Sequence, residues 1–213
     1  MLFHPAEPGT DAWRLARFGI PSASNFSRIV TAKGARSSSL EGYAAELAGE
    51  VFAGKSLDQF DGNVWMNRGK EKEAEAIELY RFTTDAAVVQ CGFIVTDDET
   101  AGCTPDALVN EDGLLECKCL KAERHVAAMH YYQKHNKPPT DYIQQTQGQL
   151  MITGRAWVDL MFYHPDLPPL IIRQTPDLVF HAALKEGIAA VIAERDAQLA
   201  SLKRHQTTIP EAV

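Results

Sequence analysis

The order of local patterns predicts a mixed α/β (α+β) fold, with a small mixed central sheet flanked by helices. Three observations carry that expectation. Apolar runs set off by Gly, Asp and Asn mark a block of strands between residues 87 and 120. Helical patterns lie on both sides of the block, and two more strands precede a long closing helix. At 213 residues, 45% of them hydrophobic, the chain is sized for one buried core.

The elements follow in order. Residues 11–30, DAWRLARFGIPSASNFSRIV, read as a short helix, a Gly-Ile-Pro turn and a second helix capped near Ser22 or Ser24. After the polar loop TAKGARSSS, Leu40, Tyr43, Leu47 and Val51 recur at helical spacing. NRGKEKEAEAIELYRFTT is rich in Ala, Glu and Lys, which favours helix. AVVQCGFIV (87–95), GCTPDALV (102–109) and LLECKCL (114–120) are expected as three strands parted by turn-rich segments. Residues 122–134 read as helix, and DYIQQTQGQLMITG as a helix starting at an Asp141 cap and ending at Gly154. AWVDLMFY and LIIRQT are strands around the turn HPDLPP, and a helix from about 178 to 204 closes the chain. The whole chain, 1–213, is expected to be a single domain, with an N-terminal helical part (11–60), a core (64–175) and that last helix.

Totals narrow the function. A net charge of −7 argues against a protein that coats nucleic acid by bulk electrostatics, but not against a local grip. No basic, apolar leader pattern opens the sequence, and no apolar stretch approaches the roughly 20 residues of a membrane span. The cytosol is the expected location. Cys91, Cys103, Cys117 and Cys119 lack paired zinc-ligand spacing, and Cys117 and Cys119 fit best as small hydrophobes on one strand face.

The stretch CTPDALVNEDGLLECKCLK raises the chemical question, because a half-apolar hairpin carries Asp106, Glu116 and Lys118. Alternation sends Glu116 and Lys118 to one face. A three-residue loop, Glu111-Asp112-Gly113 with Gly113 left-handed, would bring Asp106 to the same face, opposite Lys118. Upstream, Glu73 shares a helical stripe with Ile77 and Tyr80, where an acid is costly unless compensated. Carboxylates of this kind bind Mg²⁺ through oxygen, and a lysine beside them orients or helps deprotonate a water.

With those residues in place, the chain resembles the lambda exonuclease family, or YqaJ-type viral recombinases, within the PD-(D/E)xK nuclease superfamily. The resemblance rests on WRLARFGIPSAS (13–24), NRGKEKEAEAIELY (67–80), TPDAL (104–108), LECK (115–118) and YIQQTQGQLMITG (142–154), in the family's order. It implies a PD-(D/E)xK restriction-endonuclease-like core. It also implies a 5′-to-3′ exonuclease that digests one strand of linear duplex DNA, leaving 3′ single-stranded tails for a single-strand annealing protein. Asp106 and Glu116, the Cys117 carbonyl and Glu73 (through water) would hold Mg²⁺, with Mn²⁺ able to substitute and two ions per site. Lys118 would position the attacking water, and Gln145 would help to arrange it. Arg17, Ser24 and Thr104 match the pocket for the terminal 5′-phosphate, where a helix N-terminus would add to the hydroxyls; Thr104 replaces the more usual serine. Met66 matches an apolar wedge between terminal base pairs. Family members form homotrimeric rings in bacterial or phage-infected cytoplasm; Lys33, Arg36 and Lys70 are channel candidates here. The rival readings are another PD-(D/E)xK nuclease, such as an endonuclease or resolvase, and a non-catalytic DNA-binding or assembly module.

Overall fold

A computed structural model describes residues 1–6, 9–55, 57 and 64–208, with the side chains of 64–71 and of 207–208 outside the description. The helices are α1 (Asp11–Arg17), α2 (Leu40–Ala53), α3 (Val64–Thr84), α4 (Ala122–His135), α5 (Ile143–Thr153) and α6 (Leu178–Thr208). The strands are β1 (Leu2–His4), β2 (Val88–Val89), β3 (Phe93–Val95), β4 (Gly102–Cys103), β5 (Ala107–Val109), β6 (Gly113–Cys119), β7 (Trp157–Tyr163) and β8 (Leu170–Gln174). A five-stranded mixed sheet runs β2-β5-β6-β7-β8, and a three-stranded sheet runs β1-β3-β4. Among the described residues no helix is long and apolar enough to cross a membrane.

The predicted strands 87–95 and 102–109 are each divided between the two sheets. Both halves keep one register: Val88 pairs with Val109, and six residues further on Ile94 pairs with Cys103. The two strands are thus one long antiparallel pair opened in its middle, at Gln90–Gly92 and Thr104–Asp106. Pro105 has no N–H to give to a ladder there. A Cβ on Gly92 would lie 2.1 Å from the His4 carbonyl oxygen, so only glycine lets the N-terminal strand cross so closely. The opening is where the site forms.

Helices cover both faces of the larger sheet. Ala76, Ile77 and Tyr80 of α3 pack on Ala107, Val109, Leu115 and Cys117, while Leu150 of α5 packs on Leu114 and Val158 from the other side. The parallel pairing of β6 with β7 requires a crossover, which α4 and α5 supply. Gly148 brings α5 against a 3-10 helix, Ala23–Arg28; a Cβ there would lie 2.4 Å from the Phe26 ring. The largest cluster of buried side chains joins that 3-10 helix, α2 and α6 around Phe26, Tyr43 and Leu184.

Four local expectations are corrected. The second N-terminal helix is only the short 3-10 helix. No Asp141 cap exists: Thr140–Tyr142 is a 3-10 turn, and α5 starts at Ile143 without a side-chain cap. The hairpin loop is Asn110–Asp112, because Val109 pairs with Gly113. Asn110, with φ of 48°, takes the left-handed position expected of Gly113, and its Oδ1 accepts from Ala87 N. Gly113 is needed for a different reason: a Cβ there would meet the Trp157 ring at 2.1 Å.

Candidate active site

The corrected loop moves the hairpin register by two residues, which leaves every side chain on its expected face. Continuing the ladder of Ala107↔Leu115 and Val109↔Gly113 sets Asp106 opposite Glu116 rather than Lys118. Ala107, Val109, Leu115 and Cys117 face α3, so Asp106, Leu108, Leu114, Glu116 and Lys118 share the face toward α5. β5 has ended at this level, and Asp106 takes over its role: its Oδ2 accepts from the Cys117 amide at 2.6 Å. The amide and carbonyl of one strand residue point to the same edge, so the Cys117 carbonyl also looks toward Asp106.

Glu116 is only 3% exposed, yet both its oxygens are satisfied. Oε1 accepts from Lys118 Nζ at 2.7 Å and from Gln145 Nε2 at 2.6 Å, and Oε2 accepts from Gln149 Nε2 at 2.5 Å. Lys118 Nζ also donates to Gln145 Oε1 at 2.8 Å, closing a three-membered ring of contacts. Two of the three ammonium donors are thereby used. Burial opposes the Lys118 charge, but the Glu116 carboxylate and Asp106 outweigh it, holding the ammonium above its ordinary pKa. Lys118 Nζ therefore stands as a charged donor held between Glu116 and Gln145. Burial, then the charges of Glu116 and Glu73, push the Asp106 carboxyl well above its ordinary pKa. Crowded carboxyls of this kind gain from a cation.

A cavity of about 580 Å³ fills the opening between the strands. Its lining falls into two groups by contact, an acid end of Glu73, Asp106, Gln145 and Gln149 and an arginine end of Trp13, Arg17, Ser22, Ser24 and Thr104. Arg17 is its only cationic lining side chain among the described residues. The guanidinium lies 3.9 Å over the Trp13 ring, and Nη2 donates to Ser22 Oγ at 3.2 Å. The Ser22 and Ser24 hydroxyls are 3.2 Å apart. Arg17 Nε is buried without a hydrogen-bond partner. Burial lowers the Arg17 pKa, against the raising effect of Tyr43 and Glu50. At the same end, Thr104 Oγ1 accepts from the Trp13 indole N–H at 3.2 Å.

Asp106, Glu116, Lys118, Glu73 and Gln145 thus converge, as do Arg17, Ser24 and Thr104. The helix N-terminus expected beside the phosphate pocket is that of the 3-10 helix Ala23–Arg28; Ser22, its N-cap, makes no capping bond, and its hydroxyl accepts from Arg17 instead. Met66 and Lys70 lie outside the described side chains, Lys33 is exposed, and Arg36 faces Glu41 at 3.7 Å. All four cysteines are free thiols, with burial pushing Cys91 and Cys119 up to about 11. Three residues were not anticipated as part of the site. Gln149 is four residues after Gln145, and Trp13 four before Arg17, so helical spacing could have revealed both. Ser22 was anticipated only as a cap.

Fold and site together define a PD-(D/E)xK-type architecture, with the acids and lysine at the open end of a β-hairpin. The chain belongs to the YqaJ-like viral recombinase domain family, which matches residues 12–156. It is similar to LHK-Exo, an alkaline exonuclease from Laribacter hongkongensis, at 31% identity over 93% of this chain and 98% of that one, with a TM-score of 0.80. The crystal structure of LHK-Exo in complex with dAMP matches to the same extent. A phage-related exonuclease from Haemophilus somnus, 16% identical over 86% of this chain and 96% of that one, shares the fold with a TM-score of 0.67. No curated protein matches the chain.

Proposed function

We propose that the protein is a metal-dependent 5′-to-3′ exonuclease that digests one strand of linear duplex DNA and leaves 3′ tails for strand annealing. The observation that carries this reading is the two-ended cavity. Carboxylates gather at one end and a lone stacked arginine stands at the other, within a single space of about 580 Å³. That arrangement suits a nucleotide whose terminal phosphate sits by Arg17 while the next phosphodiester reaches Asp106. The similar LHK-Exo, crystallised with dAMP, supports a nucleotide-sized occupant.

The residues present fit Mg²⁺, or Mn²⁺ in its place. Asp106, Glu116 and the Cys117 carbonyl offer hard oxygen donors, and Glu73 would act through water. Among the described residues no group of three His, Cys, Asp or Glu side chains could hold a metal ion, so this reading draws on the Cys117 carbonyl and on water beside Asp106 and Glu116. When bound, the ions, two per site in this reading, lower the pKa of a water and neutralise charge developing on the phosphate. Lys118 keeps one N–H donor to aim at the attacking water. Gln145 holds Lys118, and Arg17 with Ser22, Ser24 and Thr104 holds the terminal phosphate.

The same reading includes a homotrimeric ring in bacterial or phage-infected cytoplasm and a single-strand annealing partner; light scattering and co-purification test these two. The decisive assay uses 5′-labelled linear duplex with Mg²⁺. Wild-type protein should shorten it from the 5′ end and leave covalently closed circles intact. Asp106→Ala and Lys118→Ala should abolish digestion; digestion surviving either change rejects the site, and cut circles would point to an endonuclease.

A further inference from the structure

The arginine end of the cavity has an organiser that carries no charge. Arg17 and Thr104 reach the cavity from distant parts of the chain, one from α1 and the other from the break between β4 and β5. One side chain touches both. The Trp13 ring lies 3.9 Å under the Arg17 guanidinium, with Phe93 at 5.8 Å, and the same indole donates its N–H to Thr104 Oγ1 at 3.2 Å. Stacking leaves the guanidinium edges free, because the ring occupies only the face. Of those edges, Nη2 is tied to Ser22, while the buried Nε has no partner. A buried donor without an acceptor is costly, and an anion that accepts a hydrogen bond from it removes the cost.

We propose that Trp13 is a positioning residue that sets the preference for 5′-phosphorylated ends, by presenting Arg17 and Thr104 together to the terminal phosphate. The inference rests on the proposed reading of this end of the cavity as the phosphate pocket. Each of the two contacts contributes separately. The stack fixes the plane of the guanidinium, on which two-point contact with a phosphate depends. The indole N–H fixes the Thr104 hydroxyl, so that its proton is directed away from Trp13 and remains available to a phosphate oxygen. α1 has no buried residue and little packing of its own to hold Arg17 still. Without the indole, Arg17 keeps its charge but loses its orientation.

The test compares digestion of linear duplexes that differ only in carrying 5′-phosphate or 5′-hydroxyl ends. Trp13→Phe keeps a ring beneath Arg17 and loses the N–H; Trp13→Leu loses both. The phosphate preference should fall about twofold to threefold for Trp13→Phe and about tenfold for Trp13→Leu, through a raised KM on phosphorylated ends. Rates on hydroxyl ends should fall by a smaller factor, so that the ratio between the two substrates narrows. A merely structural role would slow both substrates equally, and that outcome overturns the proposal. If Trp13→Leu does not fold, Trp13→Phe carries the test by itself. Arg17→Ala separates the two levels. Loss of preference there, with both Trp13 variants unaffected, overturns the role of Trp13 alone; preference retained in Arg17→Ala overturns the pocket and this inference with it.

Discussion

The two ends of the cavity are built to different tolerances. The acid end stands on β6, the longest strand of the larger sheet besides β7, with the core behind it and α5 in front. Every oxygen of Glu116 is held, and Gln145, Gln149 and Lys118 hold it from two elements. The anion end stands on a seven-residue helix with no buried residue and on a break between strands. Its contacts are longer, at 3.2 Å, and depend on one stacked ring. A rigid end suits chemistry, where small displacements of a carboxylate are costly. Under the proposed function, the looser end suits recognition of the DNA terminus.

Mutations at the two ends should therefore differ in kind as well as size. The largest effect is expected for Asp106→Ala and Lys118→Ala, which should lower kcat by about 10³-fold or more on any linear duplex. A loss confined to KM would break the assignment of this end to chemistry. Next comes Arg17→Ala, expected to slow 5′-phosphorylated substrate by about 10- to 100-fold while sparing 5′-hydroxyl ends. An equal loss on both substrates would erase the distinction between the ends. Smaller still is Gln149→Met, which removes the donor to Glu116 Oε2 within a fully buried side chain. Partners behind a metal ligand typically contribute about tenfold or more to metal affinity. The Mn²⁺ binding constant from calorimetry should weaken by that order. Gln147→Met, on the same helix as Gln149, disturbs bonds to Thr175 and Asp177 and should lower the melting temperature while leaving Mn²⁺ binding alone.

How far the sequence foretold these ends follows from the same contrast. The acid end was legible because alternation and an odd loop dictate which side chains share a face. Even a register error of two residues preserved that face. The break in the long hairpin was less legible: Pro105 hinted at it, but the crossing of β1 over Gly92 is a contact between residues far apart in sequence. Ser22 turned from cap to arginine partner because Arg17 Nη2 donates to its hydroxyl, a contact between side chains that element boundaries alone do not reveal. Asn110 displaced Gly113 from the left-handed position because Trp157, over forty residues away, claimed the space above Gly113.

The smallest effect concerns stability without metal, and it probes the acid end alone. Burial, reinforced by Glu116 and Glu73, raises the Asp106 carboxyl above its ordinary range, so the folded protein binds that proton more tightly than the unfolded chain does. Stability then falls as pH rises from the ordinary carboxylate range through the raised value, the reverse of the usual ion-paired aspartate. In chelator, the wild-type melting temperature should decline across that window. Asp106→Asn keeps an oxygen for the Cys117 amide but carries no charge. It should flatten the decline and melt higher at the alkaline end, by roughly 2–4 °C for each kcal/mol relieved in a chain of this size. Mg²⁺ should restore the wild type toward the variant and leave the variant unmoved. Arg17→Ala should show the wild-type slope, because its charge answers to Tyr43 and Glu50 rather than to the acids. If instead the slope changed with Arg17 and not with Asp106, the two ends would be one electrostatic unit, and the division between chemistry and recognition would have to be redrawn.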